Sequence, residues 1–111
     1  MNQDELKESV RQSLELWDDK KPELEKAYAS RDDQRLLLLQ SAIEQLECLI
    51  QTSGTVKHAY TNRIQYVLEP NNYDERIQFI KLQKTSHYAL IQLTMLYEEV
   101  KKKAARLRVQ R

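Results

Sequence analysis

The chain has 111 residues, 18 Lys/Arg against 17 Asp/Glu for a net charge of +1, 41% hydrophobic residues, a single glycine and two prolines. That length fits one domain. So little glycine and proline excludes a glycine-rich phosphate loop and a turn-dense β fold, and apolar residues at helical spacing exclude disorder throughout. Rich in Leu, Glu, Gln, Lys, Arg and Ala, the composition predicts an all-α fold. The expectation is a compact bundle of about five helices in a single helical domain over 1–111, with a radius of gyration of roughly 13 Å.

Asn2 and Glu5 stand three apart like a capping box, so the first helix is expected to open at Asn2. Leu6, Val10, Leu14 and Trp17 then follow on one helical face. Pro22 lacks an N–H and has a fixed φ. It is therefore expected to begin a new short helix over 22–30 that buries Leu24, Ala27 and Tyr28. Ser30 to Asp33 offer N-cap oxygens to the next helix. There Leu36, Leu39, Ile43, Leu46 and Ile50 recur at three, four, three and four residues. Leu37, Leu38, Ala42 and Leu49 widen that stripe, and Gly54 is expected to end the helix in a left-handed cap.

Residues 56–68 carry Val56, Tyr60, Ile64, Val67 and Leu68 at helical spacing, yet Val, Tyr, Thr and Ile also favour strands. Helix is the expectation, because no second strand is evident to pair with this one. Pro70 breaks the chain. Asn72 with Glu75 repeats the capping-box spacing before a short helix with Ile77, Phe79 and Ile80 inside. Thr85 or Ser86 caps the last helix, whose stripe runs Ala89, Leu93, Leu96, Val100, Ala104 and Leu107. The helices over 33–52 and 86–109 are expected to be the two long central ones.

Charge is unevenly spread: residues 1–55 sum to −5 and residues 56–111 to +6. Complementary packing of the two halves explains this, and so does a basic partner face at one end. The acidic, polar start lacks the basic head and apolar stretch of a secretory signal, and no apolar run reaches membrane-spanning length. With Cys48 the sole cysteine, a reducing, cytoplasmic setting is expected.

Chemistry is thinly furnished. Cys48, His58 and His87 are too few and too separated for a zinc site, and neither histidine has a Glu three residues before it for a carboxylate di-metal bundle. Cys48 within Leu46–Ile50 reads as a small buried hydrophobe rather than a nucleophile. No catalytic residue, metal or cofactor is therefore expected.

Two features remain. Lys101, Lys102, Lys103, Arg106, Arg108 and Arg111 form a basic tail from about 101. It reads either as a solvated terminus complementing the helix dipole or as a face for an anionic partner. Six tyrosines, Tyr28, Tyr60, Tyr66, Tyr73, Tyr88 and Tyr97, read either as core-boundary residues or as a binding patch.

The stretch from Tyr73 to Ala104 has Asp74-Glu75-Arg76-Ile77-Gln78-Phe79-Ile80, then His87-Tyr88 and Gln92-Leu93, with Leu96 and Glu99. It resembles the YpoC-like helical proteins of low-GC Gram-positive bacteria, and the segment from Trp17 to Tyr28 is weakly similar too. The resemblance implies a small cytoplasmic helical protein in which Arg76 and His87 pair or cap within the C-terminal fold. It carries over no reaction. Tyr73, Arg76, His87 and Tyr88 are the candidate interface residues.

The sequence thus reads as a non-enzymatic, cytoplasmic helical protein-interaction module, with no membrane contact and no small-molecule substrate. Its alternative is a nucleic-acid-associated protein gripping phosphates through the basic C-terminal helix. A third option is a homodimer completed along a 3.5-spaced stripe.

Overall fold

A computed structural model describes the backbone of residues 3–57, 60 and 62–109, and the side chains of 5–57, 60 and 62–106. Among these residues the chain forms four helices, α1 (Gln3–Ala29), α2 (Gln34–Thr52), α3 (Tyr73–Leu82) and α4 (His87–Val109), with a short hairpin, β1 (Thr55–Lys57) and β2 (Ile64–Tyr66), between α2 and α3. The fold is mostly helical, with four helices among the described residues in place of the five expected. The expected cap at Asn2 lies outside the described residues.

The helix expected to start at Pro22 is instead the last part of α1. Val10, Trp17 and Leu24 lie seven residues apart and are all buried, so the apolar stripe keeps its phase straight through residue 22. Pro22 itself faces solvent. Burying both ends of one stripe on one core outweighs the single backbone hydrogen bond that proline deletes. At 27 residues α1 is about 40 Å long by helical rise. It sets the 44 Å long axis and stretches the radius of gyration to 14.7 Å, beyond the compact value expected. α1, and not the expected pair of α2 and α4 alone, is central: it packs against both of them.

The helix expected over 56–68 is a two-stranded antiparallel hairpin pairing Thr55 with Tyr66, Val56 with Gln65 and Lys57 with Ile64. The partner strand lay within the same segment. β-branched Thr55, Val56 and Ile64 suit the pleat, and among them only the exit of β2 reaches the core, through Tyr66 and the buried Leu68. Gly54, at φ +83, turns the chain from α2 into β1, and its carbonyl accepts the Val67 N–H at 2.8 Å. Ser53 closes the joint: its hydroxyl donates to the Ile50 carbonyl and accepts the Leu68 N–H at 3.2 Å. A Cβ on Gly54 would meet nothing within 4 Å, so only backbone strain opposes Gly54→Ala. Urea unfolding of that variant is expected to show a loss of about 1 kcal/mol.

The core is one cluster built from α1, α2, α3 and α4. At its centre Trp17 stacks on Tyr97, with ring centroids 4.0 Å apart and planes 2° from parallel, and the Tyr97 hydroxyl donates to the Ala42 carbonyl at 2.7 Å. Helix ends are tied by other groups than expected. Asp33 makes no side-chain cap, and the Asp32 carboxylate instead accepts the Gln34 N–H at 2.9 Å. Asn72 likewise makes no side-chain cap, and sits at φ 54. Leu37 and Cys48, expected to be buried, are exposed on the outer face of α2. The acidic and basic halves of the chain meet through Lys81–Glu47 at 2.8 Å and Lys101–Asp18.

Candidate interaction face

Helices α3 and α4 form a hairpin of helices joined by residues 83–86. Ser86 starts α4: its hydroxyl accepts the Tyr88 N–H at 3.1 Å, as the sequence leads one to expect. α4 turns Ala89, Leu93, Leu96 and Val100 inward, together with Leu90 and Tyr97. That phase leaves a second stripe, Tyr88, Ile91 and Met95, facing water at 53%, 45% and 48% exposure. Beside it α3 exposes Phe79 at 39% and Leu82 at 81%. Phe79 and Tyr88 meet edge to face, 5.7 Å apart at 88°, which fixes the two helices' outer surfaces to each other.

Five large apolar side chains thus share one open face. Taking about 200 Å² for each, they leave on the order of 500 Å² of apolar surface in water, high in the roughly 300–600 Å² range of the largest patch on a monomer. Phe79 was expected inside, and Leu82, Ile91 and Met95 were not singled out. Their signal was present as an apolar run at 88, 91 and 95, out of phase with the core stripe.

Of the interface residues expected from sequence, Tyr88 alone belongs to this face. Tyr73 is buried, with its hydroxyl unpartnered. Burial, reinforced by the nearby carboxylates of Glu47, Asp74 and Glu69, holds it far above the ordinary tyrosine range and keeps it neutral. His87 lies at the start of α4 against the Tyr28 ring, 6.1 Å between centroids.

Arg76 joins α3 to α4 through a forked pair with Glu99, one arm at 2.9 Å, and also donates to the Asn71 carbonyl at 3.1 Å. The pair is partly buried, so Arg76→Ala strands the Glu99 carboxylate. A loss of about 1–3 kcal/mol is expected in urea unfolding, and Arg76→Lys is not expected to restore it, because a point ammonium cannot reproduce the fork.

The tyrosines divide. Tyr28, Tyr73 and Tyr97 are core residues, whereas Tyr60 and Tyr88 are exposed. Burial pushes the Tyr28 hydroxyl up to about 12, against the opposing pull of Arg35, and raises Tyr97 further.

The basic helix end is partly spent inside the fold. Lys101 pairs with Asp18 on α1, and Lys103 donates to the Glu69 carbonyl at 2.6 Å. Lys102 and Arg106 face solvent. The Arg108 side chain and Arg111 lie outside the described residues, as does His58.

Among the described residues no His, Cys, Asp and Glu side chains group in threes fit to hold a metal, and no helix is long and apolar enough to cross a membrane. The family model described as YpoC-like protein matches residues 7–111, far more of the chain than the C-terminal third that first carries the likeness. No curated protein and no solved structure matches the chain.

Proposed function

The chain belongs to the YpoC-like family, and on that footing we propose that it is a non-enzymatic protein-interaction module whose docking face is the outer side of α3 and α4. The observation that carries this reading is the concentration of Phe79, Leu82, Tyr88, Ile91 and Met95 on that side. Two neighbouring helices, one with apolar residues at i, i+3 and i+7 (Tyr88, Ile91, Met95) and the other at i and i+3 (Phe79, Leu82), form the kind of groove into which an amphipathic helix lays its own apolar stripe. Aromatic and methionine side chains supply area and adaptability at such a seam.

Charge at the margin narrows the occupant. Glu75 opens α3 and Glu98 follows Met95 on α4. Glu75 makes no ion pair among the described residues, and Glu98 stands 3.7 Å from a lysine already held by Asp18. The partner is therefore an amphipathic helix with a basic residue beyond its apolar stripe.

The test places a photoreactive residue at position 91, with a control at Gln12 on the exposed side of α1. One discrete adduct is expected from 91 alone. The partner so identified, once purified, is expected to bind the wild-type chain and not Ile91→Glu. Equal yields at both positions, or binding indifferent to Ile91→Glu, would overturn the reading.

A further inference from the structure

A cleft of about 360 Å³ opens between the turn joining α1 to α2 and the loop joining α3 to α4, lined by Tyr28, Arg31, Arg35, Thr85, Ser86 and His87. Its size suits a small ligand. Its floor is held firmly. The Tyr28 hydroxyl donates to the Lys84 carbonyl at 2.7 Å. Arg35 donates to the carbonyls of Asp32 at 3.0 Å, Arg31 at 3.3 Å and Thr85 at 3.5 Å, and its guanidinium lies 5.8 Å from the Tyr28 ring centre.

Among the described residues every hydrogen-bond acceptor of Arg35 is a neutral carbonyl. The carboxylate of Asp33 stands 3.9 Å away and fully in water, and that of Asp32 is turned to the Gln34 N–H. Arg35 thus brings positive charge to the cleft with little compensation.

Arg31 is the odd residue. It follows the end of α1 at φ 55, where the chain closes through Asp32 N–H to the Ala27 carbonyl at 2.9 Å. Glycine is the usual occupant of such a position, because a Cβ there is strained. The Arg31 side chain is exposed and makes no hydrogen bond or ion pair among the described residues, so only backbone bonds, which a glycine would make equally, offset that strain. Across the cleft, His87 begins α4, whose positive end adds to the same field.

We propose that this cleft binds a phosphate group, free or as a small phosphomonoester, with Arg31 and His87 contacting the anion and Arg35 as a fixed positive floor. Strain at position 31 separates binding from folding. Arg31→Gly and Arg31→Asn both suit the left-handed conformation, so each is expected to melt at or above the wild-type temperature in chloride.

In about 10 mM inorganic phosphate, against chloride at equal ionic strength, the wild-type melting temperature is expected to rise by about 2 °C or more. Amide shifts are expected to cluster at residues 28–35 and 84–88. Both responses are expected to vanish in the two Arg31 variants and weaken in His87→Gln, while Lys102→Gln with Arg106→Gln leaves them intact. O-phosphoserine in a parallel arm shows whether a monoester enters as readily as the free ion. A rise equal in chloride, or one that survives in well-folded Arg31→Gly, would overturn the site. No partner protein enters this experiment, so its outcome is independent of the docking face.

Discussion

Replacing Trp17 with alanine is expected to cost about 3–5 kcal/mol in urea unfolding, a third or more of the stability of a domain this size. Trp17 is fully buried and stacked face to face on Tyr97, so it joins α1 to α4 at the centre of the cluster. Its removal opens a cavity that the rigid helices on either side can only partly close. The stack adds a coupling beyond area, on the order of 1 kcal/mol, which a double-mutant cycle with Tyr97→Leu isolates. The indole N–H modifies the picture, because Nε1 is buried without an acceptor. An orphan donor costs roughly 1–3 kcal/mol in the wild-type protein. Trp17→Phe deletes that donor along with part of the ring, and is expected to lose far less than Trp17→Ala, under about 2 kcal/mol. Tyr97→Phe runs the other way: for little change in volume it removes the hydroxyl's bond to the Ala42 carbonyl, which keeps its place in the α2 ladder, at about 1 kcal/mol. A loss below about 1.5 kcal/mol for Trp17→Ala would mean that the stack is not the centre of the core.

The features legible in the sequence were those fixed by local chemistry. Gly54 marks a left-handed residue after a helix because the steric rule acts on that residue alone, and Ser86 caps α4 through a bond two residues long. The repeat from Leu36 to Ile50 located α2 nearly to the residue, and its buried members Leu39, Ile43, Leu46 and Ile50 are those the repeat picks out. Misreadings arose where two local rules competed and distant packing decided between them. Pro22 carries a helix-breaking signal, but Trp17 and Leu24 hold both sides of it on one surface. In residues 56–68 the helical spacing of Val56, Tyr60 and Ile64 was accidental. Their branched and aromatic character was the better guide, since the pairing partner lay only nine residues away at Gln65. The open apolar face of α3 and α4 was missed for a related reason. Apolar residues on a small helical protein are assigned to the core by default, and only the burial of Leu93, Leu96 and Tyr97 shows that Tyr88, Ile91 and Met95 must point the other way. Arg31 could not be read as unusual until its φ was known.

The double substitution Ile91→Glu with Met95→Glu is expected to reduce affinity for the partner helix by at least about 100-fold, because paired charges at the middle of an apolar seam stay desolvated without counterions. The fold is expected to tolerate it. Both side chains are about half exposed and neither belongs to the core cluster, so the change in unfolding free energy should stay within about 1 kcal/mol and the helical circular dichroism should not move. Apolar docking and phosphate contact differ in their response to salt. Burial of Phe79, Leu82, Ile91 and Met95 should leave affinity nearly constant between about 50 and 200 mM salt, whereas binding through Lys102 and Arg106 would fall steeply over that range. Lys102→Gln with Arg106→Gln is accordingly the matched control, expected to change partner affinity by no more than a few-fold. The two pairs of substitutions lie on the same outward side of α4, about three turns apart, so a general disturbance of the helix would affect both alike. If the glutamates leave affinity intact while neutralising the cations removes it, the working surface is the charged end of α4 and not its apolar beginning.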